Sequence, residues 1–431
     1  MTGKWNGIWI ILACLALILG GCKATEGTGT PAHSEALASL YNPSQLSLHP
    51  DYTLFHKSEN LSLLYIRAYP SELRFRQTNE EAEYRALLSI HYRLINLDSP
   101  AGSAVIVDSA AVTFKLTRED ENKPAFFATL SIPVKDGERY LLRIQAKDLN
   151  RGSLGLKYLY VDKRDMYSAQ NFNVISGFSG YPKFLRFFLP GEKFSVQYRD
   201  SSVDSVYVDY FRMRSELPRP PVTSAVDYTM SYTPDTSYKV HLQDTAFYDL
   251  RNEGIYSVKV DPEKEEGLTL FNFGESFPKV ITPTELLEPL FYLATLAEYR
   301  DLRLESNRKL AVDNMWLKFG NNVEKSRELI RVYYNRVVYS NLYFTSNKQG
   351  WKTDQGMIFI LFGPPSRIQM TTTGERWFYF TRRRSNPIEF RFDRRPDVLS
   401  NQNLTWVKTT DSQLAWNEAV RSWRNGKVYS P

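Results

Sequence analysis

Apolar and polar side chains alternate with a period of two residues over much of the stretch between residues 51 and 280. The clearest runs carry apolar side chains at every second position from 84 to 94 and from 140 to 146. This period places successive side chains on opposite faces of a strand and indicates antiparallel sheets with one solvated face. About seven such runs predict an immunoglobulin-like β-sandwich domain over residues 51–165. A less regular series predicts a second β-sandwich domain over residues 166–280.

Residues 281–345 show the spacing of helices instead. Thr295 and Glu298 have the spacing of a capping box, so a helix is expected to begin there. Ser306 is the predicted cap of a second helix, which ends at Gly320. A third helix is predicted from about residue 323 to 344, with its apolar side chains on one face. A last helix is predicted near the end of the chain, capped by Asp411.

The segment 357–362 is apolar at every position and lies between two groups of turn residues. Such a run predicts a strand that is buried on both faces. Two further strands are predicted at 376–381 and 388–393, the second from its alternating pattern. Together with the helices before them, these strands predict a small α+β domain over residues 346–431. The expected fold class is therefore multidomain and mainly β, with a helical segment and an α+β domain at the end.

The sequence Gly-Trp-Lys-Thr-Asp at 350–354 closely resembles the signature of the GWxTD-domain family of bacterial (Bacteroidetes-like) exported lipoproteins. The likeness continues upstream to about Pro289 and downstream over residues 375–380. The resemblance implies no established biochemical activity, so it identifies the domain but not its function. The motif residues, which are also the candidates for a binding site, are Gly350, Trp351, Thr353, Asp354, Gly356, Gly363, Pro364 and Pro365.

Three interpretations of this motif are open. In the structural one, Thr353 and Asp354 form hydrogen bonds with loop amides and Trp351 fills the gap between helices and sheet. In the catalytic one, Asp354 is an acid or base and Trp351 is a platform for a substrate, which requires a second carboxylate such as Glu375 nearby. In the third, the loop is rigid and its exposed side binds a partner.

Residues 1–21 have the features of a lipoprotein signal peptide, with Lys4 near the start and an apolar core at 8–19. The segment ends in small residues before Cys22 and resembles a bacterial lipobox. This resemblance implies that Cys22 is acylated and anchors the chain to a membrane. Residues 22–50 are rich in Gly, Thr, Ser and Pro and predict a flexible tether with a short helical patch at 35–40.

The end of the chain is basic. Residues 346–431 contain fourteen Lys or Arg and seven Asp or Glu, a net charge of 14 − 7 = +7. In an exported protein, this charge suits acidic lipid headgroups or an acidic protein surface better than nucleic acid. A solvated surface balanced by acidic neighbours is the simpler alternative. The predicted basic docking patch consists of Arg382, Arg383, Arg384, Arg391, Arg394 and Arg395.

Metal and cofactor chemistry is not expected. The chain has two cysteines, both within its first 22 residues, and five histidines without metal-ligand spacing. No nucleophile is placed beside a base in the manner of a hydrolase. We therefore expect no enzyme, no metal site and no cofactor.

The preferred hypothesis is an exported lipoprotein that acts without catalysis, as an interaction or scaffold module in a cell-envelope protein assembly. Lys23 follows Cys22 where an Asp would imply retention at the inner membrane, so the resemblance implies the outer membrane. Either its periplasmic face or the cell surface is compatible with the sequence. The alternative is an envelope hydrolase or a glycan-binding protein that uses the loop containing Trp351 and Asp354.

Overall fold

The structure, a computed structural model, describes residues 38–42, 46–77, 84–98, 105–213, 233–242, 248–371, 373–381, 385–395, 397, 399–400 and 403–430. These residues form five sheets and six α-helices, so the prediction of a mainly β chain with added helices is confirmed.

Two antiparallel sheets share one hydrophobic core in the first β region. The smaller sheet has the order β1-β2-β6, and the larger has the order β3-β4-β7-β8 with β5 paired to β4. Leu64 of the first sheet and Ile90 of the second are both completely buried in the common core. The strands are β1 (Asp51–Ser58), β2 (Leu61–Ala68), β3 (Arg76–Gln77), β4 (Tyr84–Asn96), β5 (Val105–Thr117), β6 (Phe126–Pro133), β7 (Arg139–Asp148) and β8 (Leu154–Asp162).

The second β region contains a two-stranded sheet and a four-stranded sheet with the order β12-β11-β13-β14. Strand β14 is buried on both faces, unlike a strand with one solvated face. The reason is a second cluster, in which Phe271 packs with Phe277 and with Leu399 from the C-terminal part of the chain. The strands are β9 (Phe172–Ser176), β10 (Phe194–Tyr198), β11 (Ser205–Arg212), β12 (Thr236–His241), β13 (Gly254–Lys259) and β14 (Leu268–Asn272).

Six α-helices follow the second β region, and their caps explain where they begin. They are α1 (Pro283–Leu287), α2 (Leu296–Leu304), α3 (Arg308–Gly320), α4 (Val323–Phe344), α5 (Asp354–Phe362) and α6 (Thr410–Arg424). The capping box of Thr295 and Glu298 is confirmed. Two predicted caps were wrong by one or two residues. The side chain of Asn307, not Ser306, accepts the hydrogen bond from the Leu310 amide in the first turn of α3, and Thr409, not Asp411, caps α6. No helix in the described part of the chain combines the length and the apolar character needed to cross a membrane.

The C-terminal sheet has the order β15-β16-β17-β18 and is antiparallel throughout. One of its faces packs on the helices, with Trp377, Phe390 and Phe392 completely buried. Its strands are β15 (Arg367–Met370), β16 (Gly374–Tyr379), β17 (Ile388–Arg394) and β18 (Leu404–Val407).

The prediction of a buried strand at 357–362 was wrong, because these residues lie within the helix α5. All residues of this helix from Gln355 to Phe362 are buried. It packs against α4, α6 and the C-terminal sheet, so no face is left for polar side chains. A short helix that is apolar on all sides has the same sequence pattern as a buried strand.

Candidate functional site

Thr353 fixes the beginning of α5. Its hydroxyl accepts a hydrogen bond from the amide of Gly356 at 3.0 Å and donates one to the carbonyl of Gly350 at 2.7 Å. The residue is 6% exposed. Thr353 is thus both the N-cap of the helix and a brace across the loop that precedes it.

The two glycines of the motif stand where backbone segments approach closely. A Cβ atom on Gly350 would lie 1.9 Å from the carbonyl oxygen of Ser340 in α4. A Cβ atom on Gly356 would lie 1.9 Å from the carbonyl oxygen of Gly350. Any side chain at these positions would separate the loop from α4 or unfold the first turn of α5. The glycine spacing of the motif is therefore a packing requirement.

Trp351 is part of the core. It is 2% exposed, and its backbone amide donates to Asn341 at 3.1 Å while its carbonyl accepts from the Tyr292 hydroxyl at 2.7 Å. The indole N–H donates to the side chain of Gln349 at 2.9 Å. An indole enclosed in this way fills the space between helices, and it offers no free face on which a substrate could stack.

Asp354 links the start of α5 to the last strand of the sheet. Its Oδ2 atom accepts a hydrogen bond from the backbone amide of Trp406 in β18 at 2.8 Å. The carboxylate also lies in the first turn of α5, where negative charge is favourable to the helix dipole. The contacts of Trp351, Thr353 and Asp354 agree with the structural interpretation of the motif.

The other end of α5 is closed by side chains from two neighbouring helices. The guanidinium of Arg336 donates to the carbonyls of Ile360 and Leu361 at 3.1 and 3.0 Å, and Trp423 donates to Leu361 at 3.0 Å. Burial lowers the pKa of Arg336 to about 10. Gly363 then ends the helix with a positive φ of 79°, which a side chain would oppose. Both ends of this short, fully buried helix thus have their polar groups satisfied.

Pro364 and Pro365 follow Gly363 and form the turn that leads into β15. Pro364 is partly buried and Pro365 is buried. The carbonyl of Gly363 accepts a hydrogen bond from the hydroxyl of Tyr379 at 2.9 Å. This contact joins the turn to β16 in the sheet.

A buried polar cluster lies beside the motif and was not predicted as a unit. Glu375 in β16 is 5% exposed, and its carboxylate accepts hydrogen bonds from Gln355 at 3.1 Å and from the indole of Trp377 at 2.8 Å. A third donor is the hydroxyl of Tyr41, at 3.1 Å. Burial raises the pKa of Glu375, and the hydrogen bonds from Trp377 and Tyr41 oppose that shift.

Two signals in the sequence pointed to this cluster. Glu375 occupies the same alternating phase as Trp377 and Tyr379, so a carboxylate faces the core of the sheet. Gln355 directly follows the last residue of the five-residue signature. Tyr41 carried no signal, because it lies in the stretch predicted as a flexible tether.

The prediction of a flexible tether was wrong for residues 40–42 and 46–50, which pack against the folded protein, whereas the described part of the helical patch predicted at 35–40 is helical. Residues Ala38–Tyr41 form a short 3-10 helix, and Leu40 and Tyr41 contact the core of the C-terminal domain. Leu48 is 2% exposed, and the amide of Ser47 donates to the carbonyl of Leu154 in β8 at 3.4 Å. The apolar side chains in this part of the predicted tether explain the difference.

The predicted basic docking patch is only partly within the described residues. Arg382, Arg383 and Arg384 lie outside them. Arg391 forms a two-point ion pair with Asp393 at 2.8 and 3.2 Å, which neutralises its charge. The guanidinium of Arg394 lies 4.4 Å from the ring centre of Tyr160 in β8, so this side chain contacts the first β region. Arg395 is exposed.

The described residues contain no group of three or more His, Cys, Asp or Glu side chains that could hold a metal ion. Cys14 and the predicted lipidation site Cys22 lie outside the described residues. No curated protein matches the chain.

Solved structures give weak matches. A β-glucuronidase from Bacteroides uniformis is 14% identical and is matched over 33% of this chain and 16% of its own, with a TM-score of 0.17. A glycosyl hydrolase family 2 member from Bacteroides cellulosilyticus is 10% identical over 33% of this chain and 19% of its own, also with a TM-score of 0.17. This chain thus spans less than a fifth of either protein, and the overlap carries no argument about fold or function.

One protein family matches the part of the chain that contains the motif. The GWxTD domain family matches residues 254–425. The match begins at β13, inside the region predicted as the second sandwich, and it ends with α6. This extent agrees with the double-sided burial of β13 and β14, which pack against Leu399. Residues 254–425 of this chain form a GWxTD domain.

Proposed function

We propose that this protein is an exported lipoprotein of the outer membrane that acts without catalysis, as an interaction or scaffold module in a cell-envelope protein assembly. The observation that carries the proposal is that the polar and aromatic side chains of the motif form contacts inside the domain. Trp351, Thr353 and Asp354 all form hydrogen bonds within the domain, and the first two are at most 6% exposed.

A residue that acts on a substrate must be reached by it. The alternative of an envelope hydrolase or glycan-binding protein assigned this contact to Trp351 and Asp354. The indole of Trp351 is enclosed, and the Asp354 carboxylate holds a strand amide. Both observations favour a motif that stabilises the domain. The domain would then act through the exposed surface that the motif supports.

The first β region supports the same proposal. Two antiparallel sheets enclose one core between residues 51 and 162, and we propose that they form an immunoglobulin-like sandwich. Such modules in exported proteins serve as spacers or binding units. In this arrangement the sandwich carries the GWxTD domain and contributes Tyr160 to its contact with Arg394.

The partner is proposed to present an acidic surface. Arg395 is exposed directly after β17, and Arg382, Arg383 and Arg384 lie between β16 and β17 in the sequence. Substitution of these four arginines by alanine should reduce recovery of the partner and its dependence on salt. Arg391→Ala is the matched control, because Arg391 is already paired with Asp393. Unchanged recovery with the four-arginine variant would exclude these four residues as the docking surface.

Anchoring is tested at the predicted lipidation site. Cys22→Ser should move the protein from the membrane fraction to the soluble fraction and abolish incorporation of radiolabelled palmitate. Cys14→Ser is the control, since it keeps the acylated sulfur. Membrane association and labelling that persist in Cys22→Ser would refute the lipoprotein assignment.

The assembly is tested by isolating the native protein in mild detergent after brief crosslinking of intact cells. We expect it to migrate as a complex with at least one further envelope protein at reproducible stoichiometry. Recovery as a lone monomer would count against a scaffold role. Hydrolysis of an envelope glycan that is lost in Asp354→Asn would instead establish the alternative.

A further inference from the structure

Tyr41 enters a slot in the GWxTD domain that is lined by aromatic rings. Its ring centre lies 4.8 Å from that of Phe344, 5.3 Å from that of Trp377 and 5.7 Å from that of Tyr343. We call the site formed by these three residues and Glu375 the tyrosine slot. The contacts with Phe344 and Trp377 have the edge or tilted geometry that aromatic pairs prefer.

The floor of the tyrosine slot is polar. The hydroxyl of Tyr41 donates to the buried carboxylate of Glu375 at 3.1 Å. A carboxylate in this position distinguishes a phenol from a plain phenyl ring, because only the phenol donates a hydrogen bond to it. The slot therefore matches a tyrosine side chain in both shape and chemistry.

The walls of the slot are held by contacts that do not involve Tyr41. The ring of Phe344 packs on Phe359 of α5 at 5.6 Å, and Trp377 packs on Phe392 of β17 at 4.8 Å. Glu375 keeps two donors within the domain, Gln355 and Trp377. A site whose walls and floor are fixed by other parts of the domain is preorganised for its ligand.

The segment that supplies Tyr41 is short, and the residues that follow it along the chain are anchored separately. Residues 46–48 attach to β8 through the amide of Ser47 and the buried side chain of Leu48. Residues 38–42 contribute Leu40 and Tyr41 to the domain. Both side chains remain partly exposed, and the entropy lost when five residues are ordered opposes their attachment, so this segment is expected at the low-stability end of the structure.

We propose that the GWxTD domain contains a tyrosine-recognition site, and that residues 38–42 form a detachable strap that occupies it through Tyr41. The site binds an apolar residue followed by tyrosine, and in this structure the chain supplies that ligand itself. The inference depends neither on acylation of Cys22 nor on the partner proposed above, so its test can fail or succeed independently of them.

The experiment uses the full chain with Cys22→Ser, with and without Tyr41→Ala, and a fluorescent peptide with the sequence of residues 34–46. Fluorescence anisotropy should show saturable binding to the Tyr41→Ala protein and at least tenfold weaker binding to the protein that retains Tyr41, because its slot is filled. A peptide with phenylalanine in place of tyrosine should bind the Tyr41→Ala protein about tenfold more weakly, since it cannot donate to Glu375.

A second measurement covers the case in which Tyr41→Ala fails to fold. In Tyr41→Phe, hydrogen exchange of the amides at 38–42 should be about tenfold faster, while exchange in α4 and β16 stays unchanged. The proposal is overturned if the peptide binds neither protein or binds both equally, if the phenylalanine peptide binds as well as the tyrosine peptide, or if exchange in Tyr41→Phe matches the parent chain.

Discussion

Removal of the hydroxyl of Thr353 should destabilise the GWxTD domain selectively. Thr353→Val keeps the shape of the side chain but removes the acceptor for the amide of Gly356 and the donor to Gly350. The carbonyl of Gly350 still accepts from the backbone amide of residue 353 at 3.1 Å. The amide of Gly356 is therefore the group that is left buried without a partner.

The expected cost follows from that amide. A buried polar group without a partner costs about 1–3 kcal/mol, and loss of an N-cap typically costs about 1 kcal/mol. Because these two values describe the same hydrogen bond, they overlap, and we expect about 2 kcal/mol for Thr353→Val. Thr295 provides a control: it caps α2 in the same way, accepting from Glu298 at 3.2 Å, but in an exposed position. Water can replace that hydroxyl, so Thr295→Val should cost about 1 kcal/mol or less.

Urea unfolding followed by tryptophan fluorescence measures this difference. Six of the eight tryptophans lie between residues 316 and 423, so the signal reports on the GWxTD domain. With a slope of about 2 kcal/mol per molar urea, Thr353→Val should lower the midpoint by about 1 M. Thr353→Ser should restore most of the loss because it keeps the hydroxyl. The reasoning is refuted if Thr353→Val shifts the midpoint no more than Thr295→Val, or if Thr353→Ser is equally destabilised.

Three further predictions concern single residues. Gly356→Ala should lower the same midpoint by more than the shift of about 1 M expected for Thr353→Val, because a Cβ atom at 356 would lie 1.9 Å from the carbonyl oxygen of Gly350. A smaller shift would contradict the packing argument. Asp354→Ala should lower the free energy of unfolding by about 1–2 kcal/mol more than Asp354→Asn, because only the side-chain oxygen of Asn can still accept the hydrogen bond from the amide of Trp406. Equal midpoints for the two variants in the same urea assay would contradict this prediction. Burial lowers the pKa of His56 from 6.5 to about 4. As the pH falls from 6.5 to 4, His56 is protonated in the unfolded chain but stays neutral in the folded protein, so the free energy of unfolding should fall by up to about 3 kcal/mol. In thermal melts monitored by circular dichroism, His56→Gln should flatten this part of the pH profile, and an unchanged slope would show that another group is responsible.

Local spacing in the sequence was sufficient for the helices whose ends are set by neighbouring residues. The capping box at Thr295 and the helix from Val323 to Phe344 were both predicted, the latter with its observed bounds. The cap of α3 was assigned one residue too early, because Ser306 and Asn307 are both good caps and the sequence alone does not rank them.

The helix α5 could not be predicted in the same way. Its apolar run has no period that distinguishes helix from strand, and apart from the cap at Thr353 its ends are held by partners far along the chain. Asp354 pairs with a strand amide 52 residues away, and the carbonyl of Leu361 is bonded by Trp423, 62 residues away. These contacts become visible only when the tertiary structure is known.

The motif itself was interpreted from residue chemistry, and the contacts of its polar residues agree with the structural alternative. The cluster around Glu375 could be predicted only in part. The alternating pattern of β16 shows that Glu375 faces the core, but nothing in the sequence links this residue to Tyr41. The two residues are 334 positions apart. Pairings at such separation depend on the packing of whole regions and leave no local pattern.

The bond from Trp423 to α5 has a consequence for the order in which the chain acquires its structure. Because the carbonyl end of α5 needs Arg336 and Trp423, the centre of the GWxTD domain cannot be completed until residue 423 has been synthesised. The first β region contains all its strands by residue 162 and can fold earlier during synthesis or translocation. The GWxTD domain thus matures after the first β region, and a ribosome stalled before residue 423 would yield a folded first β region that carries an unfinished domain.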